Sequence, residues 1–419
     1  MGMTMSEKIL AHAAGLTQVE AGQIVMAKVD KAMMDDLLGP RVEIAEQMER
    51  MGAKIWDANK VVIISDHYTP PANAAQADIV KFTREWAKEK GVANYYEYIG
   101  PCHQIMIEKG HSLPGEVIVG TDSHSCSYGA VGSFATGIGS TEMLGVLMMG
   151  EIWLKVPETI RVEWSGKLNS GVMAKDISLR TIKQIGHAGA TYQTVEYVGS
   201  GISALPMDER ICIANMAVEM GAKAGLMEYD EETAAYLRSI GVEKEFTRIS
   251  SDPDAKYSSV LQFDASTLVP QIACPHEVDN VFDITDVKSK IDQAYVGSCT
   301  GGRYTDLKMA AQILKGHKVA SGVRLLVSPA SSSVYERCLR DGILGDLAAA
   351  GAIILPATCG ACLGLHSGTI GEGEVCISST NRNFIGRMGS KKSFVYLGSP
   401  ATAAASAITG QITDPREFL

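Results

Sequence analysis

Two short stretches in the last third of the chain decide the fold: Gly297-Ser298-Cys299-Thr300-Gly301-Gly302 and Thr358-Cys359-Gly360-Ala361-Cys362-Leu363-Gly364. The first follows the apolar run Ala294-Tyr295-Val296 and the second follows Ala352-Ile353-Ile354-Leu355. Short apolar runs of this kind are typical of buried strands. The three cysteines are therefore predicted to lie on tight turns just past strand ends, where parallel α/β sheets place their ligands.

Three thiols in this setting could hold a metal centre. Three thiolates are one short of the four that usually hold a cubane iron–sulfur cluster, so such a cluster would keep one iron open to water or substrate. A zinc site is an alternative, because His366 lies four residues after Cys362 and could be a fourth ligand. Buried thiols without any metal are a second alternative. The other six of the nine cysteines lack paired glycines and are interpreted as packing residues.

Composition limits the class of protein. The 419 residues are 46% hydrophobic and 21% charged, which is typical of a soluble globular protein. A formal net charge of −10 argues against a nucleic-acid partner, and no apolar run reaches the length of a membrane span. The N-terminus lacks the pattern of a signal peptide, and an odd number of cysteines without an export signal favours the reducing cytoplasm.

Polar residues follow four further predicted strands. The pairs of strand and polar segment are 61–64 with Asp66-His67, 94–99 with Cys102-His103-Gln104, 117–119 with Asp122-Ser123-His124, and 375–378 with Asn381-Arg382. With the two cysteine turns, six strands deliver a polar group or a thiol from their carboxyl ends. That repetition indicates one shared site.

The chemistry of these residues suggests general acid catalysis on an acidic substrate. Asp66-His67 and Asp122-Ser123-His124 are carboxylate–imidazole pairs, in which the acid can orient the imidazole and hold its charge. Loop capping explains each pair equally well alone, but two pairs plus His103 at three strand exits favour the functional interpretation. Arg382 and Arg387 could clamp carboxylates, although a surface salt-bridge pair is the alternative. No G-x-S-x-G elbow supports a serine hydrolase, and no complete G-x-G-x-x-G supports a dinucleotide site.

Alternation of strands and helices predicts an α/β fold with mainly parallel sheets. We expect three regions, at 1–157, 158–285 and 286–419. A hinge-like Val156-Pro157 marks the first boundary, and the third region carries the cysteines and the arginine loop.

In their order along the chain, these motifs resemble those of the aconitase superfamily. The motifs are Asp66-His67, His103-Gln104, Asp122-Ser123-His124, Glu196, Gly297-Ser298-Cys299-Thr300, Cys359-Gly360-Ala361-Cys362 and Asn381-Arg382-Asn383-Phe384. The length and the opening Met1-Gly2-Met3-Thr4 resemble the large subunits of isopropylmalate dehydratases and their relatives. The resemblance covers essentially the whole chain, and it implies three α/β/α domains of an aconitase-like core without the swivel domain.

The resemblance implies a [4Fe-4S] cluster on Cys299, Cys359 and Cys362, with one iron not ligated by cysteine. It implies a hydro-lyase that removes and re-adds water on a malate-type hydroxy acid, with the open iron acting as a Lewis acid. His67, backed by Asp66, would protonate the leaving hydroxyl. The other residues implied at the site are His103, Asp122, His124, Glu196, Gln104, Ser123, Asn381, Arg382 and Arg387, with Asn215 as a lesser candidate.

The resemblance also implies a partner. In aconitases a further mobile domain supplies the serine base, and in the dehydratases it is a separate small subunit that also contributes the specificity pocket. Because this chain stops at Leu419, soon after the third region, we expect it to be inactive alone. The expected substrate is a hydroxy di- or tricarboxylate, foremost 3-isopropylmalate in leucine biosynthesis, with homoaconitate, citramalate and 2,3-dimethylmalate as alternatives.

Two features depart from the family pattern. Gly301 stands where the family segment usually has asparagine, so a side-chain amide near the cluster is lost. The second cysteine pair, Cys359-Gly360-Ala361-Cys362, is closer to aconitases than to the serine-containing form of isopropylmalate enzymes.

A second hypothesis is a non-catalytic regulatory protein that holds zinc or an iron–sulfur cluster. The intact acid–base residues argue against this hypothesis, and the acidic net charge argues against RNA binding.

Overall fold

Helices and strands alternate along most of the chain, and the computed structural model describes residues 2–419. The strands are β1 Ile24–Lys28, β2 Lys31–Asp35, β3 Val61–Ser65, β4 Asn94–Glu97, β5 Val117–Gly120, β6 Phe134–Gly137, β7 Glu151–Lys155, β8 Thr159–Ser165, β9 Thr194–Val198, β10 Ala224–Leu226, β11 Ser259–Asp264, β12 Gln271–Ala273, β13 Val281–Asp283, β14 Gln293–Gly297, β15 Arg324–Ser328, β16 Ile353–Ile354, β17 Val375–Ser378 and β18 Phe394–Leu397.

The α-helices are α1 Met5–Ala13, α2 Ile44–Met51, α3 Ala74–Glu89, α4 Cys102–Glu108, α5 Ser140–Met149, α6 Ala174–Ile185, α7 Ser200–Ser203, α8 Met207–Met216, α9 Glu231–Ser239, α10 Ser298–Gly301, α11 Tyr304–Leu314, α12 Ser332–Arg340, α13 Ile343–Ala350 and α14 Pro400–Thr409. Short 3₁₀ helices include Ser123–Val131, Ala217–Met220 and Gly360–Leu363. Over residues 2–419, no helix combines the length and the apolar character needed to cross a bilayer.

The first sheet brings two polar segments to one edge. Its five strands run in the order β4-β3-β2-β5-β6 and are all parallel. Every residue of β3 and β5 is buried, as expected for parallel strands covered on both faces. Because the strands are parallel, the segments after Ser65 and Gly120 leave the sheet at the same edge.

The third sheet presents the cysteine turns in the same way. Its seven strands run in the order β13-β12-β18-β17-β14-β15-β16, and β14 to β17 together with β18 are parallel. The two strands at one side, β12 and β13, are antiparallel to their neighbours. The carboxyl ends of β14, β16 and β17 therefore point to one edge, where Cys299, Cys359 and Asn381 follow.

The second sheet, β10-β9-β8-β11, is wholly parallel, and a small antiparallel pair joins β1 to β7. The predicted α/β class with mainly parallel sheets is thus confirmed. The three large sheets follow one another along the chain, although the third already begins at Gln271, ahead of the predicted boundary at 286. The three-domain division stays a prediction.

Local sequence signals explain where individual elements begin. Helix α1 starts at a capping box, in which Thr4 Oγ1 accepts from the backbone of Glu7 and the Glu7 carboxylate accepts from Thr4 N. Asn73 caps α3 by accepting from Gln76 N. Helix α3 buries one face, including Val80 and Trp86, against the first sheet.

Candidate functional site

The carboxyl ends of the first and third sheets meet at a cavity of about 630 Å³. Among the residues that line it are eleven of the predicted site residues: His67, His103, Asp122, Ser123, His124, Cys299, Cys359, Cys362, Asn381, Arg382 and Arg387. The two sheets are tied together at this point, because the carbonyl of Asp66 accepts from Cys359 N (3.2 Å) and from Thr358 Oγ1 (3.0 Å). Residues far apart in the sequence thus line one cavity.

His67 is held by carboxylates on its inner side. Its Nδ1 lies 2.7 Å from Asp66 Oδ1, and Asp66 Oδ2 accepts from Cys102 N at 2.6 Å. Burial alone would lower the pKa of His67, but the charge of Asp66 and the hydrogen bonds to Asp36 and Asp66 outweigh it and raise this pKa well above its ordinary value. Because Nδ1 is occupied, Nε2 is the ring nitrogen left for the cavity. It lies 3.8 Å from Asp122 Oδ2.

Asp122 joins two further histidines. Its Oδ1 lies 2.8 Å from His103 Nε2 and 3.3 Å from His124 Nδ1, and it also accepts from His124 N at 2.7 Å. Burial would raise the pKa of Asp122, but His103 and His124 outweigh burial and hold the pKa well below its usual range. Asp122 caps the 3₁₀ helix Ser123–Val131, so the same carboxylate fixes the loop and both imidazoles.

A carboxylate that the sequence analysis did not identify completes this group. Glu219 is 1% exposed, and its Oε1 lies 2.7 Å from His124 Nε2. Arg382 Nε donates to both oxygens of Glu219, at 2.9 and 3.0 Å. Burial opposes ionisation, but Arg382 and His124 outweigh it and lower the pKa of Glu219. The available signal was its position four residues after Asn215, which places both on one face of a helical segment.

Glu196, in contrast, does not belong to this group, which corrects the expectation from the resemblance. It lies in β9, where its Oε1 accepts from Met5 N (2.8 Å) and its Oε2 accepts from Ser251 Oγ (2.6 Å). Burial raises its pKa. The physical reason is that its carboxylate satisfies the start of α1 rather than lining the cavity.

Gln104 and Asp66 also lie behind the cavity wall. The Gln104 Oε1 accepts from Arg303 Nε at 3.0 Å, and its Nε2 donates to Glu108 Oε2 at 3.3 Å. Both ends of the amide are therefore engaged inside the protein, and the expected contact of Gln104 with substrate is not formed by this arrangement. Asp66 reaches the cavity only through His67.

The two arginines have different surroundings. Arg382 is tied to Glu219, and its Nη2 donates to Ser123 Oγ at 3.1 Å. Arg387 contacts Cys362 Sγ through Nη2 at 3.8 Å, and its buried Nε has no hydrogen-bond partner within residues 2–419. Arg387 is thus the arginine with a donor free to receive an anion.

The three predicted cluster thiols are buried around the inner end of the cavity. Asn215 Nδ2 donates to Cys299 Sγ at 3.3 Å, and Cys362 Sγ lies 3.6 Å from Asn381 Oδ1. The two amides also contact each other. Burial raises the pKa of the Cys299 thiol to about 12 and that of Cys359 well above its ordinary value. Since metal coordination requires thiolates, binding of a metal centre would displace these protons.

The spacing of the three thiols does not match a single zinc site. A tetrahedral zinc ion with Zn–S bonds of about 2.3 Å would hold its sulfur ligands about 3.8 Å apart. In the described residues, the groups whose ligand atoms all lie within 4.8 Å of one another are His103, Asp122 and His124, and Asp35, Asp36 and His67. The three cysteine sulfur atoms do not form such a group, so they are not placed as ligands of one zinc ion.

His366 does not complete a zinc site either. Its Nε2 lies 3.0 Å from the carbonyl of His67, and its Nδ1 lies 2.9 Å from Ser367 Oγ. Both ring nitrogens are therefore engaged with other groups, and the zinc alternative loses its fourth ligand.

The structure explains why position 301 lacks a side chain. A Cβ on Gly301 would overlap the side chain of Ser379. Ser379 Oγ occupies this space and accepts from Gly297 N at 2.9 Å, which ties the cysteine turn to the segment after β17. A larger residue at position 301 would therefore have to displace Ser379.

Comparison with known proteins agrees with this arrangement. The sequence profile of the aconitase family (aconitate hydratase) matches residues 7–290 and 283–410. The chain is 49% identical to "3-isopropylmalate dehydratase large subunit 1" of Methanopyrus kandleri, over all of both chains. It is 46% identical to "Probable methanogen homoaconitase large subunit" of Methanothermobacter thermautotrophicus, over 99% of this chain and 98% of that one.

Among solved structures, the aconitase X of Thermococcus kodakaraensis in its holo-form is similar in fold. The TM-score is 0.50 at 12% identity, over 85% of this chain and 84% of that one. The profile match and the full-length relatives are sufficient to assign the family. The chain belongs to the aconitase family.

Proposed function

We propose that the chain is the large, cluster-bearing subunit of a [4Fe-4S] hydro-lyase that interconverts 3-isopropylmalate and 2-isopropylmalate. The observation that carries the proposal is the convergence of three buried thiols and the pairs His67–Asp66 and His124–Glu219 on one cavity. The large-subunit names of full-length relatives at 46 to 49% identity support the same function.

Cys299, Cys359 and Cys362 would hold the cluster. When bound, a cluster with one iron free of cysteine supplies a Lewis acid for a hydroxyl and a carboxylate group. The thiols suit this role because all three are buried, line the same cavity and are not placed as ligands of one zinc ion.

His67 would give its proton to the leaving hydroxyl and take it back in the reverse direction. Asp66 fixes Nδ1, so the proton is available at Nε2, toward the cavity. The raised pKa of His67 keeps the imidazole protonated near neutral pH, which a general acid requires.

The other acid–base residues would orient the reacting groups and hold the charge of the site. Asp122 and Glu219 are both ionised at neutral pH because their pKa values are lowered, and they hold His103 and His124 in fixed positions. His124 lies between the carboxylates of Asp122 and Glu219, and His103 lies between Asp122 and the Tyr128 hydroxyl. Polar groups fixed in this way can stabilise a water molecule leaving or entering the cavity.

Substrate carboxylates would be bound mainly by Arg387. Its free Nε faces no protein acceptor, whereas Arg382 is committed to Glu219 and Ser123. Arg382 would therefore position Glu219 and Ser123, and Arg387 would form the charge-assisted hydrogen bonds to substrate.

The remaining wall of the cavity favours an apolar substituent on the substrate. It includes the aliphatic side chains of Leu37, Leu38, Ile138, Ile152, Leu154 and Val218, and its charged residues are Glu142 and Lys223. A branched aliphatic group such as isopropyl would bury apolar surface there, whereas a further carboxylate would have to be neutralised. Lys223 also lines the cavity and is the residue that would favour homoaconitate as the second candidate substrate.

A small subunit would complete the active site. The name "large subunit" of the relatives implies such a partner for those proteins. For this chain we propose a swivel-type subunit that covers the open side of the cavity and brings the serine base for the carbon-bound proton.

The test is reconstitution of the enzyme under anaerobic conditions. The purified chain would be loaded with iron and sulfide, analysed for both, mixed with the small subunit of the same organism and assayed with 3-isopropylmalate. About four irons and four sulfides per chain, with turnover of 3-isopropylmalate, are the expected result. Turnover of homoaconitate, citramalate or 2,3-dimethylmalate in its place would overturn the substrate assignment, and one zinc with no sulfide would overturn the cofactor.

A further inference from the structure

One buried cation near the cysteines has no role in the chemistry above. Lys175 lies at the start of α6 and is 1% exposed. Its Nζ donates to the carbonyl of Thr380 at 2.5 Å and to that of Ser379 at 3.4 Å, and it lies 3.4 Å from Met216 Sδ. The ammonium group is therefore fixed directly behind the segment that leads from β17 to Asn381 and Arg382.

The surroundings of Lys175 lack the usual compensation for a buried charge. No salt bridge to its ammonium group exists among residues 2–419, since its close partners are carbonyl oxygens and a thioether. Burial lowers its pKa. An ammonium group in the interior is strongly destabilised unless an opposite charge lies nearby.

The nearby groups that can carry negative charge include Asp176, Cys212, Glu219, Cys362 and Cys299. Glu219 is already paired with Arg382 and His124. Cys299 and Cys362 are two of the proposed cluster ligands, and a metal centre is bound by cysteine as thiolate. A cluster bound by these thiolates would therefore place negative charge near Lys175.

We propose that Lys175 is a positioning residue whose buried ammonium group balances the negative charge of the cysteine-bound cluster and fixes the segment 378–382 beside it. The inference rests on the proposed cofactor. It adds one residue to the proposed function. Lys175 touches neither substrate nor thiol and acts through the carbonyls of Ser379 and Thr380.

Hydrogen bonds connect Lys175 to the surroundings of the thiols. The Ser379 carbonyl that receives Lys175 also accepts from Thr300 Oγ1 at 2.9 Å, next to Cys299. Asn381 follows Thr380 directly and lies 3.6 Å from Cys362 Sγ. One cation thus anchors the segment that contacts Cys362 and the residue next to Cys299.

The test compares Lys175→Met, which removes the charge with little change in size, with Lys175→Arg, which keeps it. Each holoprotein would be prepared anaerobically, analysed for iron and sulfide, and titrated with redox mediators while the reduced cluster is followed by electron paramagnetic resonance. We expect Lys175→Met to retain less iron and sulfide and to have a lower midpoint potential, because loss of a nearby positive charge disfavours reduction. Lys175→Arg should keep the potential near that of the wild type.

Controls separate this role from general damage to the fold. Lys183→Met removes an exposed lysine from the same helix and should change neither cluster content nor potential. If Lys175→Met does not fold, Lys175→Gln provides the same loss of charge with a donor retained. Unchanged potentials in the uncharged variants, or equal potentials in Lys175→Met and Lys175→Arg, would overturn the role of Lys175. A wild-type protein without iron and sulfide would instead overturn the proposed cofactor.

Discussion

At the scale of single residues, the proposed proton donor depends on one imidazole. We predict that His67→Gln lowers kcat of the assembled enzyme about 10²- to 10⁴-fold, the range that general acid catalysis contributes. KM and iron content should change little, because His67 is not a proposed ligand. Steady-state kinetics with 3-isopropylmalate and iron analysis would check this. His317→Gln, which alters an exposed ring packed on Phe418, is the matched control and should behave as the wild type.

Position 301 allows a double-mutant cycle. Gly301→Asn introduces the asparagine of the usual family segment, and we expect it to destabilise the apoprotein by about 1–3 kcal/mol because its Cβ overlaps Ser379. Ser379→Gly in the same chain should recover part of that loss. Denaturant unfolding of the four proteins measures the coupling. Gly345→Asn, at a helical glycine with open space around it, should have a small effect by comparison, and purely additive effects at 301 and 379 would contradict the explanation.

At the scale of elements, Glu219 should have the role at the site that sequence reasoning gave to Glu196. Glu196 links β9 to the first residue of α1 and to Ser251, so Glu196→Gln should lower the free energy of unfolding by about 1–3 kcal/mol and leave kcat/KM per folded enzyme unchanged. Glu219→Gln should lower kcat/KM, because it weakens the contacts to His124 and Arg382. Unfolding curves and kinetics on both variants are the measurement. Loss of activity in Glu196→Gln without loss of stability would restore Glu196 to the site.

The turn before β5 makes stability depend on pH. Burial and the nearby Asp30 raise the pKa of Glu116 to about 7, from an ordinary value of about 4.3. The folded state therefore binds the proton more tightly, so this contribution to stability is present below pH of about 4.3 and is lost as pH rises to about 7. Glu116→Gln should gain stability relative to the wild type over that interval. Unfolding measured from pH 4.5 to 7.5 should show a flatter pH dependence for the variant, and parallel curves would contradict the assignment.

The sequence was sufficient for features that are local. The runs at 61–64, 117–119 and 375–378 became strands within one residue of the expected bounds, because apolar content and the polar residues at the exits lie side by side in the chain. Glu196 and Glu219 could not be distinguished, since both are buried acids among apolar neighbours and only tertiary contacts decide which one faces the cavity. Lys175 was missed because a lysine near a helix start usually indicates a solvated face.

At the scale of the whole molecule, one surface beside the cavity is unusually apolar. Strands β1 and β7 bury one face and expose Ile24, Met26 and Trp153 on the other, where Met26 is paired with Trp153. Trp153 is 61% exposed and also lines the cavity, so this face borders the opening that the proposed small subunit would cover. Exposed apolar patches next to an active site are typical of protein interfaces.

We therefore predict that the chain has no dehydratase activity alone and that the double variant Ile24→Ser, Met26→Ser raises the concentration of small subunit needed for half-maximal activity about tenfold or more. Maximal activity should be retained, because neither side chain lines the cavity. Titration of the small subunit into a fixed amount of holoprotein measures both quantities. Leu339→Ser, which removes an equally exposed leucine from α12, is the control and should leave the titration unchanged. Activity of the isolated chain would exclude the need for a partner, whereas an unchanged midpoint in the double variant would show that the partner binds elsewhere on the surface.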